Sequence, residues 1–232
     1  SPYYSLELDS LVFFNDYNQI VFYDIIGELD LLEKKIYGQA GFLGWDRIGI
    51  PIDKRHVVLD SFELDLTERK ITLDNVKLIN NLNFFVESEG RFIDYLSRDK
   101  RQNSYPKFYA NNVCSTGTFF DGFSCSGVIN ILRDKIYLKS IDDSHVILSY
   151  KDDYINSKYI CKAIRLSDYS ISSGSVNAVI QFLNTQDSLY HPEMGFSYNH
   201  LEKIISLNRL NNTYLSDRPI LNSFHSLNIY SD

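Results

Sequence analysis

The chain has 232 residues, 44% apolar and 23% charged, an ordinary globular balance that argues against a disordered segment. No apolar run approaches the ~18–20 residues of a membrane-spanning helix, and the first 33 residues lack the basic start of a secretory signal. The net charge of −7 is segregated: seven acids and no Lys or Arg lie between Ser1 and Glu33, and residues 34–232 balance.

Leu6–Phe14 and Gln19–Ile26 place acids between apolar residues and flank Asn15-Asp16-Tyr17-Asn18, a segment rich in residues that tolerate tight turns. Together they predict a β-hairpin with one acidic face. Ser61–Leu66 alternates strictly, and after Thr67-Glu68-Arg69 the pattern resumes at Ile71 and Leu73, as in a second hairpin. A further apolar run covers Val76–Val86. Residues 97–107 read as a linker or long loop: basic residues replace aliphatic ones, and Pro106 biases its neighbour to extended backbone. Short apolar strands return at Val128–Leu132, Ile136–Leu138, Val146–Tyr150 and Tyr159–Leu166, spaced as in a meander.

Two helices are predicted after them. Val176, Val179, Ile180 and Leu183 keep helical spacing behind Ser173-Gly174-Ser175, which offers an N-cap. Asn199, with Glu202 three residues later, resembles a capping box ahead of Leu201, Ile204, Ile205 and Leu207. No internal repeat is expected. The fold class is therefore mainly β, an antiparallel sandwich or two packed sheets with one or two C-terminal helices; the alternative is an α+β domain whose helices cover one sheet face. Residues 1–96 form an N-terminal β-rich part with the acidic hairpin, 97–107 the linker, and 108–232 the meander and helices, in two domains or one continuous one.

The acidic hairpin is the leading functional feature. Glu7, Asp9, Asp16 and Asp24 on one face would steer a basic protein surface toward the chain, and tyrosines such as Tyr3, Tyr4, Tyr17 and Tyr23 would anchor it. The bland alternative is that these acids keep an exposed strand soluble. The expected function is a non-catalytic binding module, an inhibitor, immunity protein or accessory factor of viral or bacterial type.

Catalytic readings are thinner. Asp53, then Glu68 and Lys70, loosely echo a metal-dependent nuclease pattern, in which two carboxylates hold Mg²⁺ and a lysine assists water. Cys125 in Gly122-Phe123-Ser124-Cys125-Ser126-Gly127 is a thiol nucleophile only if a histidine stands beside it. Metal-ligand spacings such as C-x-x-C and H-E-x-x-H are absent, and Gly38, Gly41 and Gly44 make no phosphate loop, so no metal and no cofactor is expected. The basic stretch Arg98–Arg101 is the one spot suited to phosphate, but a pI of about 5.2 argues against nucleic acid as the main partner. A structural or self-assembling role is the third reading, with the tyrosine-rich surface supplying contacts between copies.

Cys114 and Cys125 could close a disulfide ring, whereas Cys161 lies in a strand-like run. The odd count favours reduced thiols and a cytoplasmic over an exported setting. The start at Ser1 fits either an initiator removed before a small residue or a signal or tag cut away.

Overall fold

The computed structural model describes residues 2–82, 86–96, 105–115, 120, 122–142, 144–185, 187–210, 220–222 and 227–229, and it is mainly β, with antiparallel pairing throughout. The chain divides into two compact units, residues 1–112 with 130–134, and residues 113–129 with 135–232. The expected linker falls at 97–104 outside the described residues. No helix among the described residues is long and apolar enough to cross a membrane.

The first unit is built from β1 (Tyr3–Phe14), β2 (Gln19–Asp30), β3 (Lys35–Gly44), a 3₁₀ turn at Asp46–Ile48, β4 (Arg55–Leu59), β5 (Phe62–Asp65), β6 (Lys70–Asn80), β7 (Val86–Tyr95) and β8 (Lys107–Ser115), whose last residues belong to the second. β1 and β2 form the predicted hairpin, in register from Tyr3↔Asp30 to Phe14↔Gln19. β3 lies against β2 and offers its other edge to two strands, Lys35–Gly38 to β5 and Gly41–Gly44 to β4. β4 continues to β6, β6 to β7 and β7 to β8. Gly38 is dictated by packing, since a Cβ there would fall inside the Phe62 ring, which stacks on Phe22. The core gathers Phe22, Ile25, Trp45, Val57, Leu78, Phe92 and Phe108, each fully buried.

The second unit contains β9 (Phe123–Leu132), whose last residues belong to the first, then β10 (Lys135–Lys139), β11 (Val146–Lys151), β12 (Ile155–Cys161), β13 (Ala163–Leu166), β14 (Ser170–Phe182), β15 (Ser188–Asn199), β16 (Ile204–Arg209), β17 (Ile220–Asn222) and β18 (Leu227–Ile229). β14 is the long central member, holding β12 and β13 on one edge and β15 on the other. Aromatic rings fill its core, with Tyr159 against Phe196 at 4.4 Å and Phe123 against Tyr198 at 4.6 Å between centroids.

Both predicted C-terminal helices are strands instead. Val176, Val179, Ile180 and Leu183 lie in or beside β14, and β14 slips register against β15 between Ser173 and Val176 and again between Val176 and Ala178. Both slips lie before Ala178, and β14 pairs with β12 without interruption from Val176 to Phe182, so Val179 turns to the face opposite Val176 and Ile180. Apolar residues on both faces counterfeit a helical spacing, while β-branched side chains and long partners on both edges decide for strand. At Asn199 the capping chemistry is real, but no helix follows. Its Oδ1 accepts from the N–H groups of Leu201 (3.0 Å) and Glu202 (3.3 Å), closing the four-residue turn between β15 and β16.

The same device recurs. Asn15 caps the β1–β2 turn, Asp30 the β2–β3 turn and Asp152 the β11–β12 turn, each accepting two N–H groups that no strand partner reaches. Asp30-Leu31-Leu32-Glu33-Lys34 and Asn199-His200-Leu201-Glu202-Lys203 match further. Lys34 and Lys203 are left-handed at φ 54° and 56°, and so, six residues before each cap, are Asp24 (50°) and Glu193 (54°). A short hairpin repeat therefore exists where none was expected.

Replacing Asn199 by Ala should cost about 1 kcal/mol in urea unfolding, as loss of a comparable cap does. Asp30 has a second signature. The Glu33 N–H, then that of Leu32, hold its carboxyl below the usual range. The unfolded chain binds the proton first, so this contribution is present above the ordinary carboxylate value and is lost as pH falls through the lowered one. Asp30→Asn, which keeps an acceptor, should therefore unfold with a weaker dependence on acid than the native chain.

Candidate binding face

The β1–β2 hairpin changes phase once. Leu6 and Leu8 point inward opposite Gly27 and Ile25, and Leu11 and Phe13 point inward opposite Phe22 and Ile20. Between these sets Asp9 and Ser10 are both exposed, and on β2 the left-handed Asp24 accommodates the change. The outer face therefore carries Glu7, Asp9, Asp24 and Glu28, all exposed, with exposed Asp16 in the turn at the hairpin tip. Among the described residues none of these five makes an ion pair.

Two of the seven N-terminal acids serve the scaffold instead. Asp30 is nearly buried in its turn, and Glu33 accepts the Tyr37 hydroxyl at 2.7 Å, which pushes the Tyr37 pKa up to about 12. Asp30 finds its partners in its own turn, the Leu32 and Glu33 N–H groups, so turn chemistry could have set it apart, whereas the partner of Glu33 lies on β3.

The candidate tyrosines take different positions. Tyr3 and Tyr4 are about half exposed on β1, and Tyr17 stands exposed at the tip, where Val12, Phe14, Tyr17 and Gln19 line a cavity of about 440 Å³. Tyr23 is half-buried. Its hydroxyl donates to Asp46 at 2.9 Å, and burial first, then this bond, raises its pKa. Tyr23 and Asp24 line a second cavity of about 380 Å³ with Phe42, Ile52, Asp53 and His56. The His56 ring is fixed by its Nδ1–H bond to the Ile52 carbonyl (2.7 Å) and stands edge-on to Phe42. Phe42 on β3, Asp46 in the 3₁₀ turn after it and His56 on β4 carried no signal in the sequence, since only the pairing of β2, β3 and β4 brings them together.

The nuclease-like residues are not brought together. The Lys54 carbonyl, next to Asp53, receives the Asn81 N–H at the Asn80 end of β6, while Lys70 opens the opposite end. An eleven-residue strand separates them by about 30 Å. Glu68 is exposed in the turn before Lys70, and no group of three or more His, Cys, Asp or Glu able to hold a metal occurs among the described residues. Cys125 is buried in β9 opposite Leu148, closed to substrate. Its pairing with Cys114 falls outside the described side chains.

The most perturbed carboxyl lies under the first unit's surface. Asp94 on β7 accepts Arg47 Nη2 at 2.5 Å and the Tyr95 N–H at 2.7 Å, and burial pushes its pKa up to about 6 although Arg47 opposes this. Next to it Trp45 meets Phe92 edge-on at 5.3 Å. The fully buried Arg55 lies over the Trp45 ring and donates to Asn80 and to the Asp134 carbonyl. These cations sit in packed protein, so their role is to tie the 3₁₀ turn and β4 to the rest of the unit. No protein-family model, curated protein or solved structure matches the chain.

Between its ordinary value and about 6, folded Asp94 keeps a proton that the unfolded chain has released. This group therefore makes stability fall as pH rises through that window. Asp94→Asn should flatten that slope in urea unfolding, and Arg47→Met, which strands the carboxylate, should cost about 3 kcal/mol near neutral pH.

Proposed function

We propose that the chain is a non-catalytic protein-binding module whose outer hairpin face engages a basic partner surface. The observation that carries this reading is the sharing of one exposed face by Glu7, Asp9, Asp24 and Glu28, with no base paired to them among the described residues. Carboxylates held a few ångströms apart on paired strands sum their fields, and a rigid β scaffold keeps them from dispersing. Such a field raises the rate of encounter with a basic surface more than it deepens the final affinity. Tyr17 and Phe14 at the tip supply apolar contact once the encounter is made. That way of working suits an inhibitor, an immunity protein or an accessory factor.

The experiment replaces Glu7, Asp9, Asp16 and Asp24 together by their amides. All four are exposed, so the variant should keep the native far-UV dichroism. Capture of basic proteins from lysate should fall about tenfold, and the native chain's capture should weaken as salt rises from about 50 to about 200 mM. Equal capture by both chains at both salt levels removes the proposal.

A further inference from the structure

We propose that β1 is an acceptor edge onto which a partner adds an extended strand, and that this strand carries two apolar residues followed by two basic ones. Its order would be apolar-x-apolar-x-x-basic-x-basic. The inference rests on reading the acidic face as a binding surface, and it specifies the kind of partner that surface takes.

β1 is twelve residues long, and among the described residues its register is with β2 alone. Every second N–H and C=O along its other edge then points away from the sheet, a ready template for another strand. Natural sheets blunt such edges with brevity, charged side chains (Lys above all), Pro or a bulge. β1 is long, contains neither Lys nor Pro, and has no residue at positive φ. It exposes apolar surface instead, with Val12 42% and Phe14 76% accessible. Glu7 and Asp9 are its only charges, and Leu11–Phe14 carries none, so that end of the edge is an aggregation hazard unless a partner covers it.

Charge selects the occupant. A second copy of β1 in antiparallel addition would bring Glu7 and Asp9 of one chain beside those of the other, and like charges across a strand pair are destabilising. A strand bearing Lys or Arg meets the opposite situation. The spacing follows from the phase change: Phe14 and Val12 are two apart on the outer face, Asp9 and Glu7 are two apart, and the extra outward residue Ser10 lies between the sets. Read antiparallel to β1, these demand the order given above. The cavity of about 440 Å³ lined by Val12, Phe14, Tyr17 and Gln19 lies where the first apolar residue would arrive. Backbone pairing would supply affinity, and the alternating side chains specificity.

The test uses the full chain and a ten-residue peptide of threonines carrying two valines and two lysines in that order. Two controls accompany it, one with glutamates for the lysines and one with the same residues shuffled. Amide hydrogen exchange over residues 3–14 is read alongside affinity. The lysine peptide should slow exchange on β1 by at least about tenfold at saturation, and each control should bind at least about tenfold more weakly. Failure of the lysine peptide to bind, or binding that leaves exchange on β1 unchanged, overturns strand addition; in the latter case the acidic-face reading survives if binding still needs Glu7 and Asp9. Equal binding of the peptide by an E7Q/D9N variant removes the acidic-face reading itself. Protection of β1 that grows with the chain's own concentration, with no peptide present, makes a second copy the occupant and likewise overturns the proposal.

Discussion

The N-terminal hairpin depends on one backbone conformation, the left-handed Asp24. A strand turns alternate side chains to opposite faces, so a twelve-residue strand without interruption would bury either Ile20 and Phe22 or Ile25 and Gly27, but not both pairs. At Asp24, φ is 50°, and β2 changes phase. A non-glycine residue there costs roughly 1–2 kcal/mol, and Asp is among the types that bear it best. Phe22 and Ile25 both become fully inaccessible, and each buried side chain of that size contributes about 1.5–3 kcal/mol. Burial wins. β3 absorbs the change where Ile26 pairs with Ala40 and Gly27 with Gly38. The outward grouping of carboxylates is thus a by-product of keeping two apolar pairs inside.

Much of this was legible in the residues. The first hairpin, its Asn15 turn and the strands of the meander follow from alternation and turn chemistry, because both signals are local. The alternation of acids with apolar residues also put Glu7, Asp9, Asp24 and Glu28 on an exposed face, whereas Asp30 and Glu33 serve the scaffold. What failed was reading a 3.6-residue spacing from a strand with apolar residues on both faces. From Val176 to Phe182 β14 alternates without interruption against β12, so Val179 faces away from Val176 and Ile180, and which faces of a sheet are covered is not written in one strand's residues. Asn199 misled for a related reason: accepting two N–H groups suits a turn as well as a helix. The parallel between Asp30–Lys34 and Asn199–Lys203 was the signal that could have decided for the hairpin.

The scattered polar candidates teach a complementary lesson. Asp53, Glu68 and Lys70 are close in sequence order, yet β6 holds Asp53 and Lys70 at opposite ends of its length. Arg47 and Asp94, far apart in sequence, meet at 2.5 Å because the 3₁₀ turn after β3 reaches β7. Proximity in an antiparallel sheet is set by which strands are neighbours and at which end, and pairing order was the quantity that the residue pattern left open.

Trp45 has a practical consequence of its own. It is the sole tryptophan of the chain, fully buried, with Phe92 at its edge and the Arg55 guanidinium over its face. Its intrinsic emission should be that of an indole shielded from water, and it belongs to the first unit alone. An optical melting curve recorded at that wavelength would follow the unit bearing the acidic hairpin and be blind to the aromatic core around Tyr159 and Phe196. Any difference between that curve and one recorded by circular dichroism would measure how independently the two halves come apart.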